Sequence, residues 1–504
     1  MMRRSRPTRP APSGFRDAAV RGMRAVSSAL ATFSGWLAAY PSTNNSSVLF
    51  EFGKPRNGTG NQAIAPNLTT LTAQSRHVER STCIGRAIAE GWKADFVGSG
   101  IDIQPRSGNE PLNRKLLDAW HDLFCEHACV DGMPLWEWQA LMVGGIVTAG
   151  AGLSRICIIP ERINRGLIPL ALLPLEVEWI AERSLKTVPK ENLFVRGIEL
   201  DIYGCPVAYH LLNPERYDYT AVERVPVAEI VHIFEKRRAQ QAHGEPVLAP
   251  AIERIMQDDR LVRSELQGSI AANAPALAIT SENHGDIADA DDTDTESDPV
   301  TDMSPGAVVR LFPGEDIKGL APERPNEKLA PFRGTVRSDV AAATRLSQSH
   351  LSRDYSSSTF MNTRMEKMDT KRLQASMRSA VCRQLAGRIY ELAFPWLMLS
   401  IGQKMPSDPI ELSRLMRYDV RPDGLEYIDP TKDVAATTNA IANNLSTYQI
   451  ECATRGKSFE SVLRENAETK KQLEAAGFSW PTTTKPSAQP GPEVDGQIEE
   501  PSNA

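Results

Sequence analysis

PAIERIMQDDRLVRSELQGSI, residues 250–270, repeats Ile252, Ile255, Val262, Leu266 and Ile270 at near-helical spacing, while Asp258, Asp259, Arg260, Arg263 and Glu265 fill the other faces. The spacing predicts an amphipathic helix. Pro250 costs little at its start, where the first N–H groups lack helical partners, and Pro275 forbids continuation. A second such stretch sets Phe332, Val336, Val340 and Ala343 on one side, with Arg333, Arg337, Asp339 and Arg345 largely elsewhere. Between the two lies an acidic run. Residues 286–298 carry seven acidic side chains, among them Asp289, Asp291, Asp292, Asp294, Glu296 and Asp298, and only Ile287 as a large apolar group, so self-repulsion predicts extended chain. A third helical stretch runs from Thr359 to Pro395 with Gly387 its only glycine, and at about 1.5 Å per residue it reaches about 50 Å.

The 504 residues suffice for several domains, and 41% hydrophobic content suffices for their cores. A net charge of -6 argues against a protein that coats nucleic acid, because tight binding to the phosphate backbone needs clustered Lys and Arg. Seven cysteines without a Cys-x-x-Cys pair suggest neither a disulfide framework nor a zinc ribbon and fit reduced thiols. The most apolar run, Leu167 to Leu175, is short and holds Pro169 and Pro174, which excludes a spanning helix. The first 24 residues hold seven Arg and one Asp with no apolar core directly after them, and read as a mobile basic arm, with a transit peptide as the alternative.

Residues 1–70 are rich in Pro, Ser, Asn, Gly and Thr and are expected to be loop or arm, with a short helix over Arg16 to Leu37. Helices are expected over His77 to Ala94, Leu112 to His127 and Trp136 to Ala149, with a strand over Ile101 to Pro105. Strand signals follow at Ser154 to Ile159, Leu172 to Ile180, Gly197 to Leu200, Val207 to Leu212 and Val231 to Phe234. Asp201-Ile202-Tyr203-Gly204 reads as a hairpin connection, since glycine tolerates the positive φ such turns need. The body is therefore α+β. Short β segments are expected over 307–312 and near Ile317, a turn over 421–424, and helices over Lys432 to Glu451 and Ser458 to Ala475. The tail from Thr482 has a disordered composition.

Chemistry-bearing motifs are few. Arg455-Gly456-Lys457-Ser458 ends like a phosphate-binding loop, yet Glu451 stands where the pattern needs its first glycine, and no strand precedes it. His121, Cys125 and Cys129 at i, i+4 and i+8 would share a helical face, but one stripe cannot close a tetrahedral zinc shell; small buried cysteines beside Phe124 are the competing reading. The acidic run lacks the glycine and glutamate positions of a calcium loop. No Gly-x-Ser-x-Gly or His-Glu-x-x-His occurs, and neither an enzyme nor a cofactor is expected. The turn Ser352, Arg353, Asp354, Tyr355, Ser356, Ser357 and Ser358 lies between two helical patterns; Ser358 or Thr359 can cap the third helix, and the exposed loop offers Arg353 to phosphates and Tyr355 to grooves or bases.

Several blocks resemble one family. Val195-Arg196-Gly197-Ile198-Glu199-Leu200-Asp201 with Gly204-Cys205-Pro206-Val207-Ala208-Tyr209, then Arg224-Val225-Pro226 through Ile230-Val231-His232-Ile233-Phe234 with Arg238, Gln241 and Gly244-Glu245-Pro246, resemble blocks of the tailed-phage portal proteins of the lambda family. Tyr355-Ser356-Ser357, Leu445-Ser446-Thr447-Tyr448 and Arg455-Gly456 are similar to further blocks in the same order, so the resemblance covers roughly Leu71 to Gly477. Gly150-Ala151 departs from the family's Gly-Glu, and the stretch from Arg345 to Tyr355 is shorter. The resemblance implies a helix-rich portal fold of wing, stem, clip and crown that assembles as a ring, typically a dodecamer.

On that basis residues 1–70 are a flexible arm, 71–245 the wing, 246–272 the first stem helix, 273–327 the clip with its insert 286–298, and 328–350 the second stem helix. Residues 351–358 form the channel loop, 359–427 the long wing helix and connection, 428–480 the crown, and 481–504 a disordered tail. The implied stem residues are Ile252, Ile255, Val262, Leu266, Val336 and Val340; Asp289, Asp291, Asp292, Asp294, Glu296 and Asp298 of the clip face a partner. The implied function is a DNA conduit at a capsid vertex of the virion, assembled in the host cytoplasm and away from membranes. Its implied partners are the terminase large subunit, a head-tail adaptor, major capsid and scaffold proteins, and double-stranded DNA that passes without tight binding. A metal-binding enzyme or another oligomeric connector or adaptor is the alternative.

Overall fold

The computed structural model describes residues 58–183, 188–212, 222–272, 277–281, 315–319, 328–355, 359–422 and 430–478. The basic arm up to residue 57, the acidic run 286–298, the strand expected over 307–312, Ser356 to Ser358, Asp423 and Gly424 of the expected turn, and the tail from 481 lie outside the described residues.

Helices α1 (Gly60–Ile64) and α2 (Leu68–Ser81) occupy the end of the stretch expected to be arm. Leu68 is buried in a small apolar cluster with Leu153, Leu175 and Ile198, so packing overrides a loop-like composition. Helix α3 (Cys83–Phe96) is separate from α2, where one helix was expected over His77 to Ala94. Thr82 is extended, and its hydroxyl accepts the Gly85 N–H at 3.1 Å, capping α3. A Cβ on Gly85 would lie 2.5 Å from the Val78 carbonyl oxygen, so only glycine permits this close junction.

Strand β1 (Asp102–Pro105) precedes α4 (Glu110–Leu123) and α5 (Leu135–Ala149). Helix α4 stops at Leu123 rather than His127, and a tighter turn covers Cys125–His127. The strands β2 (Gly152–Ile158), β3 (Leu170–Leu175), β4 (Leu193–Val195), β5 (Ile198–Leu200), β6 (Pro206–Leu211), β7 (Glu223–Pro226) and β8 (Ile230–Ile233) then form two antiparallel sheets. One has the order β3-β2-β8, the other β4-β5-β6-β7. The strand expected to reach Ile180 ends at Leu175 and continues as a single turn, Val177–Trp179. The turn at Asp201 is the expected hairpin: its Oδ1 accepts the Tyr203 and Cys205 N–H groups at 2.8 Å, and Gly204 takes φ +79°.

Helix α6 (Ile252–Ala272) leads to β9 (Leu277–Ser281), which pairs antiparallel with β10 (Glu315–Gly319), and α7 (Leu329–Thr344) follows. The second helix, expected to 350, breaks at Arg345, after which α8 (Gln348–Ser352) is a separate short helix. Helix α9 (Phe360–Cys382), a π-helical turn at Arg383–Gly387 and α10 (Arg388–Ser400) form the long third stretch. It runs past Pro395, its expected end. Pro395 removes one backbone hydrogen bond, but Ala393, Phe394, Leu397 and Met398 on both sides of it are buried together, and their burial outweighs the loss. Helix α11 (Pro409–Leu415) and strand β11 (Tyr418–Arg421) follow, and β11 pairs antiparallel with β1. The helix expected over Lys432 to Glu451 is two, α12 (Pro430–Ala442) and α13 (Tyr448–Thr454), parted where Asn444 takes φ +56°; α14 (Phe459–Ala475) comes last among the described elements.

The main core is aromatic. Trp120 meets Phe124 at 5.0 Å and Tyr390 at 5.5 Å between ring centroids, and Trp92 stacks on Phe96 at 4.5 Å. Segments far apart in sequence meet in it: Leu116 and Trp120 of α4 lie with Leu385 of the π turn and Tyr390 and Phe394 of α10. Gly387 is required here, because a Cβ would lie 2.5 Å from Tyr418 Oη, whose hydroxyl donates to Glu391 at 2.7 Å.

Candidate functional site

Helices α6 and α7 are joined by a buried ion pair. Arg333 Nε and Nη2 donate to the two carboxylate oxygens of Asp258 at 2.9 and 3.1 Å, a bidentate contact that fixes the register of the pair. Asp258 is almost fully buried although its type is normally exposed, so the guanidinium is what makes it tolerable there. Of the six apolar residues expected along this pair, Ile255 and Val340 are buried and Ile252, Val262 and Val336 half-buried; Leu266 is 60% exposed. Ile270 and Phe332, toward the β9–β10 ends of the helices, are exposed as well.

The Ser-rich turn begins where α8 ends. Ser352 is half-buried, Arg353 closes the helix at φ +50°, Asp354 donates its N–H to Ser352 Oγ at 3.3 Å, and Tyr355 is 53% exposed. The structure therefore sets Arg353, Asp354 and Tyr355 on the surface. Thr359 supplies the expected cap of α9, its hydroxyl accepting the Asn362 N–H. Helix α8, from which the turn departs, is held on three sides: Ser338 donates to Gln348 at 2.7 Å, Ser349 to Glu366 of α9, and His350 packs on Gly91 of α3.

A second concentration of polar groups was not singled out residue by residue in the sequence. The two resemblance blocks at 195–209 and 224–246 fold onto one another around the four-stranded sheet. Glu199 is fully buried and accepts from Arg224 Nε at 2.8 Å; that guanidinium, with Asn192 and His210, holds its carboxyl down to about 2 against the opposing effect of burial. Tyr209 Oη meets His232 Nδ1 at 3.2 Å, and His243 Nε2 bonds the Val195 and Arg196 carbonyls. Burial pushes His232 down to about 3, with His243 and Lys236 adding to it, and His243 to about 4, against its bonds to the Val195 and Arg196 carbonyls. A cavity of about 560 Å³ lies beside them, lined by Tyr209, His232, Phe234 and Gln241 on one side and by Met377 and Arg388 on the other. Glutamate between two apolar strand neighbours, Ile198 and Leu200, reads as the solvent side of a half-buried strand, so nothing in the local pattern signals its burial.

The other motifs resolve structurally. His121 bonds Asp102 at 3.2 Å, and this hydrogen bond raises its pKa. Cys125 and Cys129 lie beyond the end of α4, so the i, i+4, i+8 stripe is not a single helical face; burial pushes both thiols up, Cys129 to about 12. No group of three or more His, Cys, Asp or Glu is arranged to hold a metal ion among the described residues. In the stretch resembling a phosphate loop, Arg455 donates to Thr437, Gly456 takes φ +70°, and Ser458 caps α14, making it a connection between helices. Among the described residues no helix is long and apolar enough to cross a membrane.

A family model described as phage portal protein, lambda family, matches residues 52–378. The portal protein of Escherichia phage N15 is 22% identical over 280 residues, 50% of this chain and 52% of that protein. Portal protein B of Escherichia phage lambda is 21% identical over 322 residues, 56% of this chain and 60% of that protein. The matched region thus spans little more than half the length of these relatives. Among solved structures, a chain in the virion of the native gene transfer agent (GTA) particle aligns with TM-score 0.44 and 13% identity over 78% of this chain and 93% of that one. A chain from the neck of the empty GTA particle computed with C6 symmetry aligns over the same shares with TM-score 0.46 and 13% identity.

Proposed function

Because the chain belongs to the lambda family of phage portal proteins, we propose that it assembles as a ring, typically of twelve copies, at one vertex of a capsid and conducts double-stranded DNA during packaging and ejection. The reading is supported above all by the extent of the family match, which runs from ahead of α1 into α9 and so takes in both sheets, α6, α7 and the turn after α8.

The physical demands on such a conduit agree with this chain. DNA must slide, and each phosphate that a ring neutralises adds affinity and hence friction. A chain with net charge -6, repeated around a pore, avoids that. The role is structural; a separate terminase ATPase performs the work by docking near the β9–β10 hairpin, where the acidic run 286–298 offers charge to a basic partner or keeps DNA off the rim. The head-tail adaptor, major capsid and scaffold proteins are the remaining partners. In this reading α6 and α7 are the stem, β9–β10 belongs to the clip, and residues 352–358 are the loop that touches passing DNA.

Negative-stain particle averaging of the full-length protein, alone and co-expressed with its capsid and scaffold proteins, tests the class. A ring with a central pore is expected, and absence of rings under both conditions overturns it. Replacing 352–358 by Gly and Ser should leave rings intact and change DNA retention; normal packaging and retention would remove the loop from the mechanism.

A further inference from the structure

Arg345 stands where the chain leaves α7 for α8, with φ +59° and ψ +32°. Helix ends of this conformation are normally filled by Gly or Asn, because a larger side chain meets a steric penalty there. The bend itself does not need the arginine side chain. It is fixed through carbonyls: Trp92 Nε1 of α3 donates to the Thr344 carbonyl at 2.9 Å, and Gln374 Nε2 of α9 donates to that of Arg345 at 3.0 Å and to Asp95 at 3.1 Å.

The guanidinium does something else. Its Nη2 donates to Glu235 Oε1 at 2.7 Å, and its Nη1 lies 3.1 Å from Met377 Sδ on α9. Glu235 also accepts from Arg237 at 3.0 Å, and Arg237 donates to Glu245 at 3.2 Å, so the contact continues into the loop between β8 and α6. One side chain thereby links the end of α7, the loop leading into α6, and α9. A strained residue with a side chain tied on two sides points to a use for that side chain.

We infer that Arg345 is a positioning residue: its guanidinium couples the direction of α7 to α9, and so sets where Arg353 and Tyr355 are presented. This rests on the portal reading for its biological meaning, but the coupling itself is a property of one chain. Glycine at 345 leaves both carbonyl acceptors in place while removing the link and the steric penalty together, and lysine, which keeps the penalty, separates the two.

The protein with Cys83, Cys157, Cys205 and Cys452 replaced by Ser would carry nitroxide labels on cysteines introduced at Thr335 on α7 and Lys367 on α9, both exposed. Arg345→Gly should keep the unfolding midpoint and ring formation, broaden the label-to-label distance distribution, and lower the yield of DNA-retaining particles roughly tenfold. Arg345→Lys, which can still reach Glu235, should restore most of both. An unchanged distribution in Arg345→Gly overturns the inference, as does a fall in unfolding midpoint that Lys does not rescue. If the unaltered protein forms no ring, the portal reading fails while the distance measurement still decides the coupling.

Discussion

At the residue scale, the buried histidines dominate the response to acid. His232 and His243 stay neutral in the folded chain well below the ordinary histidine range, whereas in the unfolded chain they take up protons near pH 6.5. The unfolded state then binds more protons, so stability is full above that pH and falls as pH drops toward 4, by up to about 1.4 kcal/mol per pH unit for each histidine. Glu199, held near 2, begins to lose its contribution as pH falls into the ordinary carboxylate range, where the unfolded chain takes up its proton, and has lost it once pH passes below about 2. Between about pH 6.5 and 4.5 these two histidines lower stability as pH falls, and His121, whose raised pKa acts in the opposite sense, subtracts from their slope. Thermal unfolding across this window should show a falling midpoint in the native chain and a shallower fall in His243→Gln; equal slopes would refute the assignment.

At the element scale, the register of the α6–α7 pair depends on one polar contact within its apolar stripe. Arg333→Ala leaves Asp258 a buried carboxylate without its cation and should cost about 3 kcal/mol, read in denaturant unfolding, with amide exchange rising first in α6 and α7. Asp258→Asn with Arg333→Met should cost less than Arg333→Ala alone. The stretches with a clear apolar period were legible in the sequence: α4, α5, α6, α7 and α9 all lie close to where periodicity puts them. Their interruptions were not. Thr82, Arg345 and Asn444, at which the helices break, are neither Gly nor Pro; the break at Thr82 is fixed by its own cap and by Gly85 beyond it, that at Arg345 by the distant Trp92 and Gln374. Pro395 failed to end a helix for the converse reason, since burial on both sides of it decides. The Ser-rich turn was legible through its cap and composition, but the buried network of Glu199, Tyr209, His232 and His243 depends on strand pairing that no local pattern states.

At the scale of the whole molecule, the proposed conduit, built from an acidic chain, predicts a weak salt dependence of DNA binding. Assembled protein titrated with duplex DNA should bind weakly, with a log–log slope against salt no steeper than about -3; a slope near -10 would mark a tight phosphate binder and contradict sliding. The pairing of β1 with β11 has a further consequence, one of timing. Residues 102–105 wait for residues 418–421, and at ribosomal rates of roughly 5–20 residues per second that interval lasts on the order of tens of seconds. For most of it Trp120 lacks Tyr390 of α10, the ring that later packs on it. Nascent chains should therefore be chaperone clients until β11 has left the exit tunnel, and fragments ending before Tyr418 should aggregate rather than fold.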